Sequence, residues 1–191
     1  MINTSKVTDM SYMFSDCREL TTVPNLDTSN VTNMAGMFQI VNGGNNKLLT
    51  VPTFNTSKVT DMTGMFNNCY ALTTVPNFDT TNVTNMASMF YHCSSLTTTP
   101  QLNTSKVTNM NAMFKWCTSL NNILLFDTTC VINTEDMYQY CRNVESGALA
   151  FYQQVANQAT PPVYHTRMFN DCGVNTQTGA AELEQIPSGW K

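Results

Sequence analysis

Charged side chains are scarce in this sequence. Asp, Glu, Lys and Arg make up 12% of 191 residues, and 9 basic against 13 acidic residues leave a net charge of −4. Nucleic acids and anionic lipid surfaces are held by basic stripes that displace counterions, so neither is an expected partner. No run of about 18 apolar residues occurs, and no segment is expected to insert in a membrane. The N-terminal Met1-Ile-Asn-Thr-Ser-Lys6 has no charged-then-apolar signal architecture. The 2 histidines, His92 and His165, lie far apart. There is no G-x-S-x-G, no H-E-x-x-H, no glycine-rich phosphate loop and no C-x-x-C pair. The chain is therefore read as non-enzymatic, with no catalytic residue, no metal and no cofactor.

What is present instead is Thr, Asn and Ser arranged in a repeat. Asn55–Phe78 reads N-T-S-K-V-T-D-M-T-G-M-F-N-N-C-Y-A-L-T-T-V-P-N-F, and at Asp79 the pattern begins again. Aligned on Val-Thr-x-Met-x-x-Met-Phe, the copies start at Asn3, Asp27, Asn55, Asp79, Asn103 and Asp127, in steps of 24, 28, 24, 24 and 24 residues. A period of this size marks a solenoid. In the first copy Met10, Met13, Phe14 and Cys17 fall at i, i+3, i+4 and i+7, one face of a short helix, with Thr8 or Asp9 placed as its N-cap. Leu20-Thr-Thr-Val23 is β-prone, and Pro24 ends or edges that strand. The unit thus predicts a short parallel strand, a turn and a short helix. The array predicts an α/β repeat solenoid, a leucine-rich-repeat-like stack of six to seven coils with a C-terminal helical cap.

The domain reading follows: residues 1–144 form a solenoid of six repeats, and residues 145–191 form a cap that includes a degenerate seventh repeat near 165–173. The second copy runs four residues long, with Gly43-Gly44 as a turn signal. Ile2 fills the apolar slot that Leu26, Phe54, Phe78, Leu102 and Phe126 fill at the ends of units, so the chain starts in mid-repeat. A continuation or cap on the N-terminal side is expected. In the tail, Leu149, Tyr152, Val155 and Ala156 share one helical face before Pro161-Pro162. Ala180–Gln185 suggests a last short helix, and Trp190 is expected to fold over the end.

The chemically prominent residues have structural readings. Met recurs at two positions of each unit, apart from Thr134 in the sixth, where a flexible thioether fills core space. Cys17, Cys69, Cys93, Cys117, Cys141 and Cys172 share one register and read as buried, reduced thiols, with Val41 filling the same slot in the second copy. The recurring Asp or Asn at unit starts reads as turn chemistry. The Thr8, Thr32, Thr60, Thr84 and Thr108 ladder is similar to ice-binding solenoids, but Ile132 breaks the row and most Thr flank turns.

The units D-T-S-N-V-T-N-M-A-G-M-F and C-S-S-L-T-T resemble the repeats of BspA-like leucine-rich-repeat surface proteins, the short-repeat type found in mycoplasma lipoproteins and gut bacteria. The resemblance covers Met1 to about Val144. It implies a surface-exposed module at the cell surface or secreted, adhering to protein or carbohydrate on a host or bacterial surface. The family offers no shared binding residues to carry over. A second reading is a phage tail or fibre module on the virion, since a reducing cytosol suits free thiols.

One surface position stands out. Two residues after each unit's Phe the array reads Asp16, Ile40, Asn68, His92, Trp116 and Tyr140. Equivalent positions stack, so His92, Trp116 and Tyr140 are expected to form a ridge, extended by Tyr70 and Tyr91. Tyr and Trp dominate interface hot spots, which makes this ridge the candidate ligand-binding surface. The competing reading has Trp116 and Tyr140 merely packing over the turn.

Overall fold

The computed structural model describes residues 3–41 and 46–191. The readings placed on Ile2 and on Gly43-Gly44 lie outside the described residues. Among the described residues the coils contain neither a helix nor a strand, which overturns the α/β architecture expected from the apolar spacing. Among the described residues, the α-helices are α1, Ala148–Ala156, and α2, Gln177–Glu184, followed by a 3-10 turn at Ser188–Trp190.

The reason lies in the backbone of the M-x-x-M-F-x-x-C segment. Met10, Tyr12, Phe14 and Asp16 donate their N–H groups to the carbonyls of Asn33, Ala35, Met37 and Gln39 in the next coil. The residues between them bond at home: Met13, Ser15 and Cys17 donate to Met10, Tyr12 and Phe14. An α-helix would send every N–H four residues back within its own segment. A two-turn helix is marginal in isolation, whereas this alternation pairs every second N–H across the stack. It goes with a left-handed residue at every fourth position in most coils, and Tyr12 and Asp16 both have φ 57°. Gly36, Gly64 and Asn68 supply the same conformation further along, at φ 60°, 59° and 61°. Successive coils are joined by isolated parallel bridges at Asp9, Asn33, Asp61, Asn85, Asn109, Asn133 and Tyr164.

The β-prone face is no sheet either. Pro24, Pro52, Pro76 and Pro100 have no N–H to give. The bridges there are confined to Thr98, Asn122 and Ser146, where Leu124 stands in the proline position of its coil.

The core is a column of rings. Phe14, Phe38, Phe66, Phe90, Phe114, Tyr138 and Phe169 stack face to face, with successive centroids 5.4, 5.5, 5.6, 5.4, 5.5 and 6.0 Å apart. Buried Met columns fill the space beside it. The thiols of Cys69, Cys93, Cys117 and Cys141 donate to the carbonyls of Phe38, Phe66, Phe90 and Phe114, one coil back, at 3.2, 3.2, 3.1 and 3.0 Å. All seven cysteines are free. Burial pushes the Cys69 and Cys117 thiols up to about 12. Two expectations are corrected: Cys17 is exposed, and Val41 is 56% exposed while Ile40 is the buried residue there.

Side-chain oxygens shape the turns between coils. Asn3, Asp27, Asn55, Asp79, Asn103 and Asp127 each accept the N–H two residues on. Asp9 accepts from Ser11 in the same way, so the expected N-cap is an Asx turn with no helix behind it. Thr28, Thr80 and Thr104 are buried, and their hydroxyls donate to the carbonyls of Asn55, Asn103 and Asp127 in the following coil.

The tail closes the ring column. Phe151 of α1 is fully buried and meets Phe126 and Tyr138 edge-on, at 6.3 and 5.6 Å. The inward face of α1 is therefore Ala148, Phe151 and Val155, with Leu149 and Tyr152 partly buried beside it. Met168, Phe169 and Cys172 are buried in the seventh coil, and Trp190 stacks on His165 at 3.8 Å while its carbonyl accepts from the Phe169 N–H.

Candidate functional site: an aromatic ridge

The line of positions through Asp16, Asn68, His92, Trp116 and Tyr140 is a backbone feature before it is a surface. All five residues are left-handed, with φ between 57° and 66°. Asp and Asn tolerate that conformation, but a bulky L-residue there is held at a cost of about 1–2 kcal/mol. Directly after it the chain doubles back: the N–H groups of Arg18, Tyr70 and Thr118 bond to the carbonyls of Asp16, Asn68 and Trp116, two residues earlier. Each left-handed residue is thus followed in space by a second column, which reads Arg18, Tyr70, Ser94, Thr118 and Arg142.

The structure brings the five candidate residues together. Tyr70 meets His92 edge-on at 4.8 Å, and Tyr91 meets it at 6.1 Å. His92 lies 5.8 Å from Trp116, and Trp116 stacks on Tyr140 at 4.1 Å. All five are half-buried. Ile40, although in the same series, is 2% exposed and takes no part. Partial burial lowers the pKa of His92, so the imidazole is held neutral in the ridge.

Two features escaped the sequence reading. Arg142 lies over the Tyr140 ring at 5.5 Å and pairs with Asp171 at 3.2 Å. Lys115, next to Trp116, is paired with Asp136 at 2.8 Å, and Asp136 also accepts from Arg167 at 2.8 Å. At the other end of the ridge an open depression of ≈390 Å³ is lined by Asn46, Tyr70, Ala71, Ser94 and Ser95. The spacing of Arg and Ser in the second column was visible in the sequence, but the sharp turn that sets this column beside the rings was not. Among the described residues no group of three His, Cys, Asp or Glu side chains is placed to hold a metal ion, and no helix is long and apolar enough to cross a membrane.

Fold and ridge together define a repeat protein: a stack of turn-built coils carrying a column of rings along one edge. The family model described as "Mycoplasma protein of unknown function, DUF285" matches residues 1–99 and 71–178, and the chain belongs to that family. The likeness to BspA-like leucine-rich-repeat proteins holds at that level. The chain is also similar to a solved leucine-rich repeat protein from Eubacterium ventriosum, at 16% identity and a TM-score of 0.47. That similarity covers 87% of this chain and 47% of the solved one, so this chain spans about half its length. No curated protein matches the chain.

Proposed function

We propose that this chain is a non-enzymatic recognition module that presents the Tyr70–His92–Trp116–Tyr140 ridge to protein or carbohydrate on a host or bacterial surface, from the cell surface or after secretion. One observation carries the reading. Bulky rings occupy left-handed positions at His92, Trp116 and Tyr140, where Asp16 and Asn68 meet the same backbone requirement with far less strain. Strained residues of this kind concentrate at functional sites. The core does not call for the rings, since the Phe column packs without them. Tyr and Trp provide large contact area with few torsions to order, which suits a binding surface.

Immobilised protein is assayed for adhesion to bacterial cells and to cultured animal cells. Trp116→Ala and Tyr140→Ala are expected to abolish binding while the melting temperature stays within a few degrees. Variants that bind like the parent, or that lose binding only because they unfold early, would assign the ridge a packing role.

A further inference from the structure

We propose that the edge of the stack where the units begin is an interface for a second copy of this chain, packed antiparallel through complementary charge. This edge carries the first four residues of each unit, and its charges alternate in sign from coil to coil: Lys6, Asp27, Lys58, Asp79, Lys106 and Asp127. All six are exposed. The edge shares no residue with the aromatic ridge, so this inference stands apart from the recognition reading.

Neither the turn nor the core requires the alternation. Asn3, Asn55 and Asn103 make the same Asx turn as Asp27, Asp79 and Asp127, each accepting the N–H two residues on, so a neutral Asn would serve in every coil. Nor are the charges used within the chain. Opposite signs stand on neighbouring coils, yet among the described residues none of the six belongs to an ion pair. Lys58 and Lys106 donate instead to the neutral Asn30 and Asn82, at 2.7 and 2.8 Å, and these donate to the carbonyls of Ser5 and Ser57. An ammonium has three donors, so both lysines keep capacity for a carboxylate. The three aspartates are held charged: hydrogen bonds from the side chains and N–H groups of Ser29, Thr81 and Thr129 keep their pKa values below the ordinary 3.8.

The order of the charges identifies the partner. Over six coils the row begins with a cation and ends with an anion, so it is complementary to its own reverse. A two-fold axis that reverses the stack sets Lys6 against the partner's Asp127, Asp27 against the partner's Lys106 and Lys58 against the partner's Asp79, and symmetry repeats all three. No like charges meet. An isologous interface needs this self-complementarity, which an odd number of coils would have turned into like against like. Lys and Asp stand three residues apart in the unit, an offset that the four-carbon Lys stem spans. Exposed ion pairs are individually weak, so the dimer is weak and sensitive to salt.

The test is sedimentation velocity of the intact chain up to millimolar concentration. Dimer is expected at low salt, with a dissociation constant that rises at least about tenfold when NaCl is raised to about 0.3 M, where the Debye length is shorter than the spacing of the pairs from bulk counterions allows them to ignore. Lys58→Glu and Asp79→Lys each set like charges together twice, and each variant alone is expected to be monomeric with an unchanged melting temperature. An equimolar mixture of the two is expected to dimerise again, because one chain of each kind restores opposite charges at both contacts. Asp27→Lys with Lys106→Glu is a second such pair, which keeps the test decisive if a variant of the first folds poorly. A parent chain that stays monomeric at millimolar concentration and low salt would overturn the proposal. So would a dimer that persists in the single variants, or a mixture that stays monomeric.

Discussion

At the scale of single residues, the unusual feature is how many side chains sit where the backbone would prefer another. The left-handed positions beginning at Tyr12 and Asp16 are filled down the array by Gly, Asn and Asp, but also by Ser88, Ala112 and the ridge rings. The stack tolerates these because every left-handed residue on those two lines sends its N–H to a carbonyl of the following coil or, for Arg167 and Asp171, belongs to the last coil. Tyr138 is another misfit. It continues the Phe column with its ring parallel to Phe114, yet its hydroxyl is buried and has no hydrogen-bond partner. An unsatisfied buried hydroxyl costs more than the apolar group it replaces, so Tyr138→Phe is expected to stabilise the protein by about 1 kcal/mol. Urea titration measures this, and a destabilised variant would mean that the hydroxyl is bonded after all.

At the scale of elements, the coil shows what an apolar pattern can and cannot say. The spacing of Met10, Met13, Phe14 and Cys17 identified the inward residues in most coils, because the same side chains face inward from a run of turns as from a helix. It misidentified the backbone. The signals against a helix were Gly36, Gly64, Asp16 and Asn68, residues that tolerate positive φ, recurring at fixed places inside the supposed helix. The ridge was legible because equivalent positions stack whatever the local conformation. Its strain and the second column beside it were not, since both come from the left-handed turn. The tail is a different kind of element, with ordinary helices docked by close backbone approach. A Cβ at Gly179 would stand 2.1 Å from the Val144 carbonyl oxygen and 2.8 Å from that of Gly173. Gly179→Ala must push α2 off the seventh coil and is expected to cost about 1–3 kcal/mol, as overpacking does. Hydrogen exchange should show faster exchange through 177–184 with the first coils unaffected; unchanged protection there would place α2 farther from Val144.

At the scale of the whole molecule, stability is expected to fall on acidification, and its sign follows from two groups. Burial lowers the pKa of His92 from its ordinary value of 6.5. For Asp136, burial acts to raise the pKa but is outweighed by hydrogen bonds from Arg167 and Lys115, so the pKa falls below its ordinary 3.8. In both cases the unfolded chain binds the proton more readily. The stabilisation is complete above the ordinary value and is lost as pH falls through the folded one. Thermal melts should therefore show a first loss below about pH 6.5 that is absent from His92→Asn, and a second below about pH 4 that Asp136→Asn reduces, the remainder coming from Asp9, Asp27, Asp79 and Asp127, whose Asx-turn hydrogen bonds also lower their pKa values. A melting temperature that rises on acidification would contradict both assignments. The ring column sets the larger scale. Phe66 touches Phe38 at 5.5 Å, Phe90 at 5.6 Å and Phe78 at 6.2 Å, so it links the coils on either side of it and the second rank of rings. Truncating a fully buried Phe removes about 3–5 kcal/mol, and in a stack where each coil touches only its neighbours the loss falls on one interface. Phe66→Ala is thus expected both to lower stability by that amount and to separate the melting of the first coils from that of the capped C-terminal half. Denaturant titration followed by hydrogen exchange distinguishes the two halves. A loss below about 1 kcal/mol would contradict the central place of this ring, and a single cooperative transition at reduced stability would show that the capped end holds the whole column together.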